Sequence, residues 1–360
     1  MKKFNTILIF LLFNCAIFAQ IKENRLIVKS YRARSSTTVE VSNKYGKIQI
    51  INWTKDSVRI EVSQNVQAST VEKLNNLKEN ISYDFVGNGY YITARTNFGS
   101  NYNSFLRDLA QFAESLISTD TKATIDYTIY MPEYLNLKIT NKFGDIYIDE
   151  ISGNVDINLS NGNLKAVELK GNSNINLTMS DADIKTLLNA RLNTNYANLN
   201  INKSNDLNID SKISTIRIED IDILKLVSRK DKIYVNQLSQ LFGEAYFSNI
   251  WLYNLDTKAN FKVKYSNMNL ESVKKGFKVI DFTSEYTDFN MFFEPGSSYS
   301  LDIVHKKSFV KYPSEISDLK VEPINVQNGE YTIFGTVGRG SAESKLRIQA
   351  VSGNINIFQK

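Results

Sequence analysis

The sequence predicts an all-β chain folded as a parallel β-helix, a solenoid in which each rung holds 17 or 18 residues. Three observations predict this fold. One short phrase occurs nine times in succession, its copies recur at a nearly fixed interval, and apolar residues alternate inside each copy. Period-2 alternation within a short fixed repeat indicates stacked strands, because an amphipathic helix would space its apolar residues by three and four.

The phrase is an apolar or aromatic residue, a small residue, usually Asn or Asp, and then apolar, any and apolar residues. Neighbouring copies are mostly 17 or 18 residues apart, with a last step of 21. A single copy is too short to bury a core, so stacked copies must cover one another. The first apolar residue after the Asn or Asp forms a column: Ile146, Leu164, Ala182, Leu199, Ile216, Ile233, Ile250, Met268 and Phe289.

The steps of 17 also bear on the hand of the coil. They do not fit the strict hexapeptide period of a left-handed β-helix, and parallel crossovers overwhelmingly take the right hand. We therefore expect a right-handed solenoid. The small residue of each copy is expected at a corner, and the Asn or Asp after it fits turn chemistry. A stacked ladder of these side chains is the alternative interpretation.

Residues 1–19 are predicted to be a signal peptide. Lys2 and Lys3 precede a short apolar run, and Ala19 is suitable before a cleavage site. The expected mature chain begins at Gln20 and is exported to the periplasm, the outer surface or the medium. Cys15 is the only cysteine, so that mature chain has no disulfide, and Asn14 before it argues against a lipid anchor. No later apolar run approaches the roughly 20 residues of a membrane span, so we expect no transmembrane anchor.

The segment 20–66 is predicted to hold a first rung and a strand, because the order Tyr45, Gly46, Lys47, Ile48 follows the phrase. The segment 67–122 interrupts the repeat as an α+β excursion. It combines a helix after the capping box 69–72, a hairpin around residues 87–89, and a second amphipathic helix over 105–116. We interpret the excursion as an end cap that blocks strand pairing with other chains. A lid or a membrane-surface helix is the alternative.

The main ladder is predicted over 123–293. A break at 294–296 opens an irregular C-terminal region, 294–360, with a strand near Leu301 and an irregular stretch over 311–343. The phrase returns from Leu346 onward, so the region is expected to end in a final rung.

Composition narrows the classes of partner. The chain has 43 Lys and Arg against 38 Asp and Glu, with a net charge of +5, and the basic residues do not form a block. Nucleic acid and acidic lipid select such blocks, so we expect no nucleic-acid partner.

Little in the sequence indicates catalysis, a cofactor or a metal. His305 is the single histidine and stands beside two lysines, so it is expected at the surface. The acidic group Glu219, Asp220 and Asp222 fits a solvated turn better than a calcium or catalytic site. Glycoside hydrolysis needs two carboxylates on one face, and the outward columns do not concentrate acids. We expect a non-enzymatic protein with no cofactor and no bound metal.

Three stretches carry a resemblance. NKYGKI at residues 43–48, NKFGDI at 141–146 and ISGNV at 151–155, behind a signal peptide, resemble the putative-adhesin β-strand-repeat proteins that bacteria export. The resemblance implies an exported, solenoid-forming envelope protein and carries no catalytic residues. It favours a non-catalytic protein of the cell envelope that binds or scaffolds an unknown protein or glycan. The alternative is a carbohydrate-active β-helix enzyme of the polysaccharide lyase or hydrolase type.

The candidate ligand-binding residues are three aromatic residues in outward columns. Tyr234 and Trp251 are predicted neighbours on adjacent rungs, and Tyr253 lies two residues beyond Trp251. Phe242 is outward earlier in the same rung. A row of such rings can bind sugars, anchor a protein partner, or hold a segment of this chain, either the 105–116 helix or the 311–343 stretch. A merely exposed patch is the remaining interpretation.

Overall fold

The computed structural model describes residues 20–99 and 121–360 and is nearly all β, with one α-helix in that part of the chain. The N-terminal elements are β1 (Ile21–Arg32), β2 (Thr38–Lys44), β3 (Ile48–Asn52), β4 (Ser57–Ala68), α1 (Val71–Glu79), β5 (Ile81–Gly87), β6 (Tyr91–Phe98) and β7 (Thr121–Met131). The ladder follows as β8 (Asn136–Lys142), β9 (Ile146–Ile151), β10 (Val155–Ser160), β11 (Asn163–Thr178), β12 (Asp181–Asn195), β13 (Asn198–Lys212), β14 (Thr215–Arg229), β15 (Lys232–Tyr246), β16 (Asn249–Lys264), β17 (Asn267–Val273), β18 (Val279–Glu285) and β19 (Asp288–Phe293). The last strands are β20 (Tyr299–Lys311), β21 (Ser317–Asn325), β22 (Glu330–Val337) and β23 (Ser344–Gln359).

Successive repeats pair in parallel and in register. Each repeat has two strand segments, one before its corner and one after it. The segment β8 pairs with β10, while β9 pairs with the first half of β11. The alignment column predicted from the sequence is the observed register from Ile146 opposite Leu164 to Met268 opposite Phe289. Hydrophobic period and repeat length fixed this register, because a slip of one residue would turn every apolar side chain outward.

The core is one buried apolar cluster that runs the length of the ladder. Ile218 lies between Ile201 and Val235 and is almost fully buried, whereas Arg217 is exposed, as their alternation predicts. Aromatic residues fill the C-terminal end, where Phe282 stacks on Phe289. Isoleucine and leucine occupy most inward positions, since branched side chains pack well on a pleated surface.

The segment predicted to form a first rung pairs with the start of the ladder. The strand β2 pairs with β8, and β3 pairs with β9, although about ninety residues separate each pair along the chain. Beyond it, β4 pairs antiparallel with both β1 and β7, and β5 with β6 forms the expected hairpin. The helix α1 begins after Thr70, whose hydroxyl accepts a hydrogen bond from the Lys73 N–H, so Thr70 rather than Ser69 is the N-cap. The predicted signal peptide and the 105–116 helix lie outside the described residues.

The C-terminal region is more regular than the sequence suggested. We expected an irregular stretch over 311–343, but β21 and β22 occupy most of it and form antiparallel pairs, with β22 also pairing with β20. The strand β23 pairs with β18, β19 and β20. These partners are far apart in sequence and break the repeat length, so periodicity could not reveal them. A bulge also places Phe293, rather than Glu294, opposite Val273.

The corner between the two segments of each repeat has an unusual backbone. The first residue of the phrase takes a positive φ in every copy, even where it is large or β-branched. Positive φ is uncommon outside glycine, and a bulky residue there is a genuine outlier. The non-glycine residues at this corner, with φ between 48° and 63°, are Tyr45, Phe143, Asn161, Met179, Tyr196, Ile213, Lys230, Phe247, Tyr265, Tyr286, Lys307 and Ser352.

Candidate functional site

The structure brings Tyr234 and Trp251 together as predicted. They pair across β15 and β16, and both side chains point outward and are half-buried. Their ring centroids are 4.8 Å apart and their planes differ by 7°, so the rings stack face to face. The distance is close to the strand spacing of about 4.8 Å, because each ring stands upright on its own strand.

Arg217 extends this stack on the other side. Its guanidinium lies 5.3 Å from the Tyr234 ring centroid, a cation–π contact. Both faces of Tyr234 are therefore covered, by Arg217 and by Trp251. Arg217 was not among the predicted site residues. Its position next to Tyr234 in the outward column of the sequence could have predicted that it belongs to the site.

This stacking changes what the surface can bind. The sequence predicted a row of rings on which sugars can stack, but these two rings stack on each other and present their edges. The far side of Trp251, toward Asn269, is not covered by another ring among the described residues. Asn269 follows Trp251 in the same outward column, so the surface offers a row of ring edges, the Tyr234 hydroxyl and the Trp251 indole N–H.

Tyr253 and a polar recess continue the surface along β16. The Tyr253 side chain is 42% exposed. The next residue, Asn254, lines a shallow recess of about 160 Å³ whose other walls include Asp256, Lys274 and Glu294. This recess is smaller than the roughly 300 Å³ of a typical small-molecule pocket. The combination suits an extended partner laid across the surface better than an enclosed metabolite.

Phe242 belongs to a different part of the rung. It lies in the second half of β15, before the corner, and Lys258 approaches its ring to 5.2 Å. It therefore faces away from the strand segment that carries Tyr234, and the structure separates it from the candidate site.

The 311–343 stretch, which the sequence offered as a segment that could cover the aromatic rings, lies elsewhere. Four strand pairings, β16 to β17, β19, β23 and β20, separate Trp251 from Lys311, where the 311–343 stretch begins. That is a distance of about 19 Å at the usual strand spacing. The strands β21 and β22 therefore extend the end of the ladder and do not cover the aromatic rings. The 105–116 helix lies outside the described residues.

The acidic group of the sequence lies at the surface. Glu219, Asp220 and Asp222 are exposed, and Glu219 accepts a hydrogen bond from the Asn236 side chain on the next strand. No cluster of three or more His, Cys, Asp or Glu residues suited to a metal ion occurs in the described part of the chain.

His305 is the clearest correction. The sequence placed it at the surface, but it is buried and its ring stacks on Tyr331 at 5.9 Å. It occupies the inward position two residues before the Lys307 corner. The two lysines that follow it made this part of the sequence resemble an exposed segment. Burial lowers the pKa of the imidazole, and its Nδ1 has no hydrogen-bond partner among the described residues.

None of the helices in residues 20–99 and 121–360 is long and apolar enough to cross a membrane.

No family model matches the sequence, and no curated protein matches it. Three solved structures align over most of the chain, each with a low TM-score. A protein described as a putative cell adhesion protein, from Clostridium sporogenes, is 12% identical with a TM-score of 0.22, covering 94% of this chain and 100% of its own. A putative lipid binding protein from Parabacteroides distasonis is 10% identical with a TM-score of 0.30, covering 94% and 96%. A putative adhesin from Bacteroides fragilis is 10% identical with a TM-score of 0.20, covering 93% and 97%. Similarity this low establishes neither a shared fold nor a shared function.

Proposed function

We propose that this chain is an exported, non-catalytic β-helix protein of the bacterial cell envelope that binds a protein or a glycan, as an adhesin or scaffold. The observation that carries the proposal is the outward stack of Arg217, Tyr234 and Trp251, continued by the exposed Tyr253. Aromatic residues and arginine dominate binding hot spots, and tyrosine and tryptophan bury large areas with little loss of side-chain freedom.

The proposal also includes an architecture, which is inferred from the sequence repeat. The parallel ladder coils as a right-handed solenoid, with 20–66 as its first rung and strand, 123–293 as its main ladder and 294–360 as its end. The segment 67–122 acts as a cap, and residues 1–19 direct export. In-register pairing with two strand segments per repeat supports the coil, since short crossovers between parallel strands favour the right hand.

Binding is favoured over catalysis by the chemistry beside the rings. The residues around the stack are Asn200, Asn236 and Asn269, together with Arg217, Glu219 and Glu271, and the two carboxylates stand on β14 and β17, three strand steps or about 14 Å apart. These groups donate and accept hydrogen bonds but supply no pair of carboxylates for acid–base chemistry. An extended partner would place an apolar group against the edges of the Tyr234 and Trp251 rings and polar groups over the asparagines.

A pull-down against envelope fractions and glycans tests the proposal. The chain from Gln20 onward is compared with a Tyr234→Ala/Trp251→Ala/Tyr253→Ala variant. The matched control is Tyr147→Ala, which removes a half-buried aromatic residue from the same outward column far along the ladder. We expect the triple variant to lose a partner that the parent chain and the control both retain. Equal capture by all three would contradict this site.

Tryptophan fluorescence provides a second readout on the same site. The chain has two tryptophans, so Trp53→Phe leaves Trp251 as the single reporter. A half-buried, stacked indole should be partly accessible to iodide, and a partner covering its exposed edge should shift the emission to the blue and reduce quenching. A fraction that binds without changing this signal would bind elsewhere.

A further inference from the structure

A second surface runs along the corner of the ladder, which we name the corner ridge. It consists of the corner residues Met179, Tyr196, Ile213, Lys230, Phe247, Tyr265 and Tyr286, all with positive φ. Five of these side chains are large and apolar, and they are 46–57% exposed. The other two members are Ile213 and Lys230. Ile213 and Lys230 divide these residues into a pair and a row of three, and large half-exposed apolar side chains grouped in this way mark interaction sites.

Bulky residues are energetically unfavourable at these corner positions because their backbone has a positive φ. A left-handed conformation disfavours bulky side chains by about 1–2 kcal/mol each, and asparagine and glycine tolerate it best. Asn161 occupies the same corner one repeat before Met179, so the fold accepts asparagine there. Ring stacking returns part of the cost between Phe247, Tyr265 and Tyr286, with centroids 5.0 and 5.2 Å apart. Stacking does not account for Met179 or Ile213, and strain retained on a surface is a reason to look for function.

The geometry of the ridge limits its partner. Its residues lie between the two strand segments of each repeat, one residue per repeat, so the ridge is an exposed line along the ladder. Six strand steps make it about 29 Å long. The stacked rings cover each other's faces and present edges outward, which does not suit the flat stacking of sugars. A strip of this length and one side chain wide covers on the order of 300 Å², far below the roughly 800 Å² per partner of a stable dimer.

Charge along the ridge is positive where aromatic residues are fewest. The sequence has no basic block, but the ladder brings together three exposed lysines of two neighbouring corners, Lys212, Lys230 and Lys232, and none of the three forms an ion pair with a described carboxylate. Arg229 and Lys264 also border the ridge, paired with Asp210 and Glu285 respectively. Exposed Tyr, Phe and Met beside unpaired lysines are the chemistry of peripheral attachment to an anionic lipid surface.

We propose that the corner ridge is a lipid-contact edge, which rests against an anionic membrane surface with its apolar side chains in the interface and its lysines over the headgroups. Half-exposed side chains in a line can enter a headgroup layer, where ring edges and tyrosine hydroxyls are both accommodated. This inference does not depend on the binding role of Tyr234 and Trp251, which lie on a sheet face beyond the corner.

Vesicle co-sedimentation tests the lipid contact. The chain from Gln20 onward is mixed with vesicles of phosphatidylcholine alone or with phosphatidylglycerol added. The ridge variant is Phe247→Asn/Tyr265→Asn/Tyr286→Asn, chosen because asparagine accepts the corner backbone. We expect binding to the anionic vesicles that this variant weakens by on the order of tenfold or more. A Lys212→Gln/Lys230→Gln/Lys232→Gln variant should lose most of the preference for anionic lipid and its salt sensitivity.

Two controls separate the ridge from other causes. Tyr91→Thr removes an aromatic residue that is 56% exposed outside the ridge and should leave vesicle binding unchanged. A melting temperature within a few degrees of the parent chain shows that the ridge variant is folded. The proposal fails if the parent chain does not sediment with anionic vesicles, or if the ridge variant sediments equally well. Capture by a soluble anionic polysaccharide in place of vesicles would also overturn it.

Discussion

Asp231 stands where the neighbouring repeats have serine, and it is only 2% exposed. Its carboxylate accepts hydrogen bonds from the backbone N–H groups of Ser214 and Arg229 and from the Ser228 hydroxyl, at 2.7–2.9 Å. In the next repeat, Ser248 fills the same corner with a neutral hydroxyl that accepts from the Asp231 N–H. Burial raises the pKa of the Asp231 carboxyl, although these hydrogen bonds oppose the shift.

The raised pKa of Asp231 gives the fold a pH dependence of predictable sign. The folded chain holds the proton more tightly than the unfolded chain, whose carboxyl titrates near its ordinary value of about 3.9. This contribution to stability is therefore complete below that value and is lost as pH rises through the folded pKa. We expect Asp231→Ser to gain stability relative to the parent chain as pH rises, measured by thermal unfolding from acid to neutral pH. A difference that stays constant with pH would show that burial does not perturb this carboxyl.

Ile218 and Arg217 test the register one residue apart. Ile218→Asp places an unpaired charge in the core and should lower the free energy of unfolding by several kcal/mol. Arg217→Glu changes an exposed residue and loses the contact with the Tyr234 ring, a cost of about 1 kcal/mol or less. Denaturant unfolding of both variants measures the difference. Equal losses would mean that the columns are shifted by one residue.

At the scale of the strand, asparagine side chains link neighbouring repeats. Asn176 donates to Asn158 on one side and accepts from Asn193 on the other, at 2.8 and 2.7 Å. A similar chain joins Asn269, Asn290 and Asn356. After the corner, Asn163 donates to Asp145, so the Asn and Asp of the phrase also form ladder bonds. The sequence had favoured turn chemistry for that column, and the stacked ladder is present as well.

The middle asparagine of a ladder should matter more than an asparagine beside it. Asn176→Ala removes two side-chain hydrogen bonds and should lower the free energy of unfolding by about 1–2 kcal/mol. Asn174→Ala is the matched control, because Asn174 points outward on the same strand with no side-chain hydrogen bond in the described structure. We expect the control to cost under about 0.5 kcal/mol. Chemical denaturation measures both losses. If the two variants lose the same free energy of unfolding, the ladder bonds add nothing to stability.

The elements differ in how far the sequence predicts them. The ladder strands follow from it, since inward residues such as Ile201 and Ile218 recur at one interval and alternate with polar neighbours. The corner ridge does not follow, because a residue with positive φ interrupts the alternation and its side-chain direction depends on the backbone turn. The candidate site is intermediate: register predicted that Tyr234 and Trp251 are neighbours, but upright rings and the covering guanidinium of Arg217 depend on rotamers.

Across the whole molecule, most contacts join a repeat to the repeats beside it. The strand β13 pairs with β12 on one side and β14 on the other, over nearly its full length. Stability in such a ladder is approximately a sum of repeat and interface terms. The ends are different in kind, because antiparallel strands close them: β1, β4 and β7 at one end and β21 and β22 at the other. The outermost strands β1 and β21 each pair with one strand only, so the strands behind them are already paired within the chain.

This modularity predicts that one complete repeat can be removed. Deleting residues 198–214 joins Ala197 to Thr215 and places Ile216 beside Ala182, which keeps each inward column continuous. We expect the shortened chain to unfold cooperatively, with a strand content per residue similar to that of the parent by circular dichroism and a lower melting temperature. Deleting 198–205 removes only part of the repeat, so outward residues are driven into inward columns and the variant should aggregate or resist folding. A full-repeat deletion that is as disruptive as the partial one would contradict a ladder of interchangeable repeats, and with it the proposed solenoid.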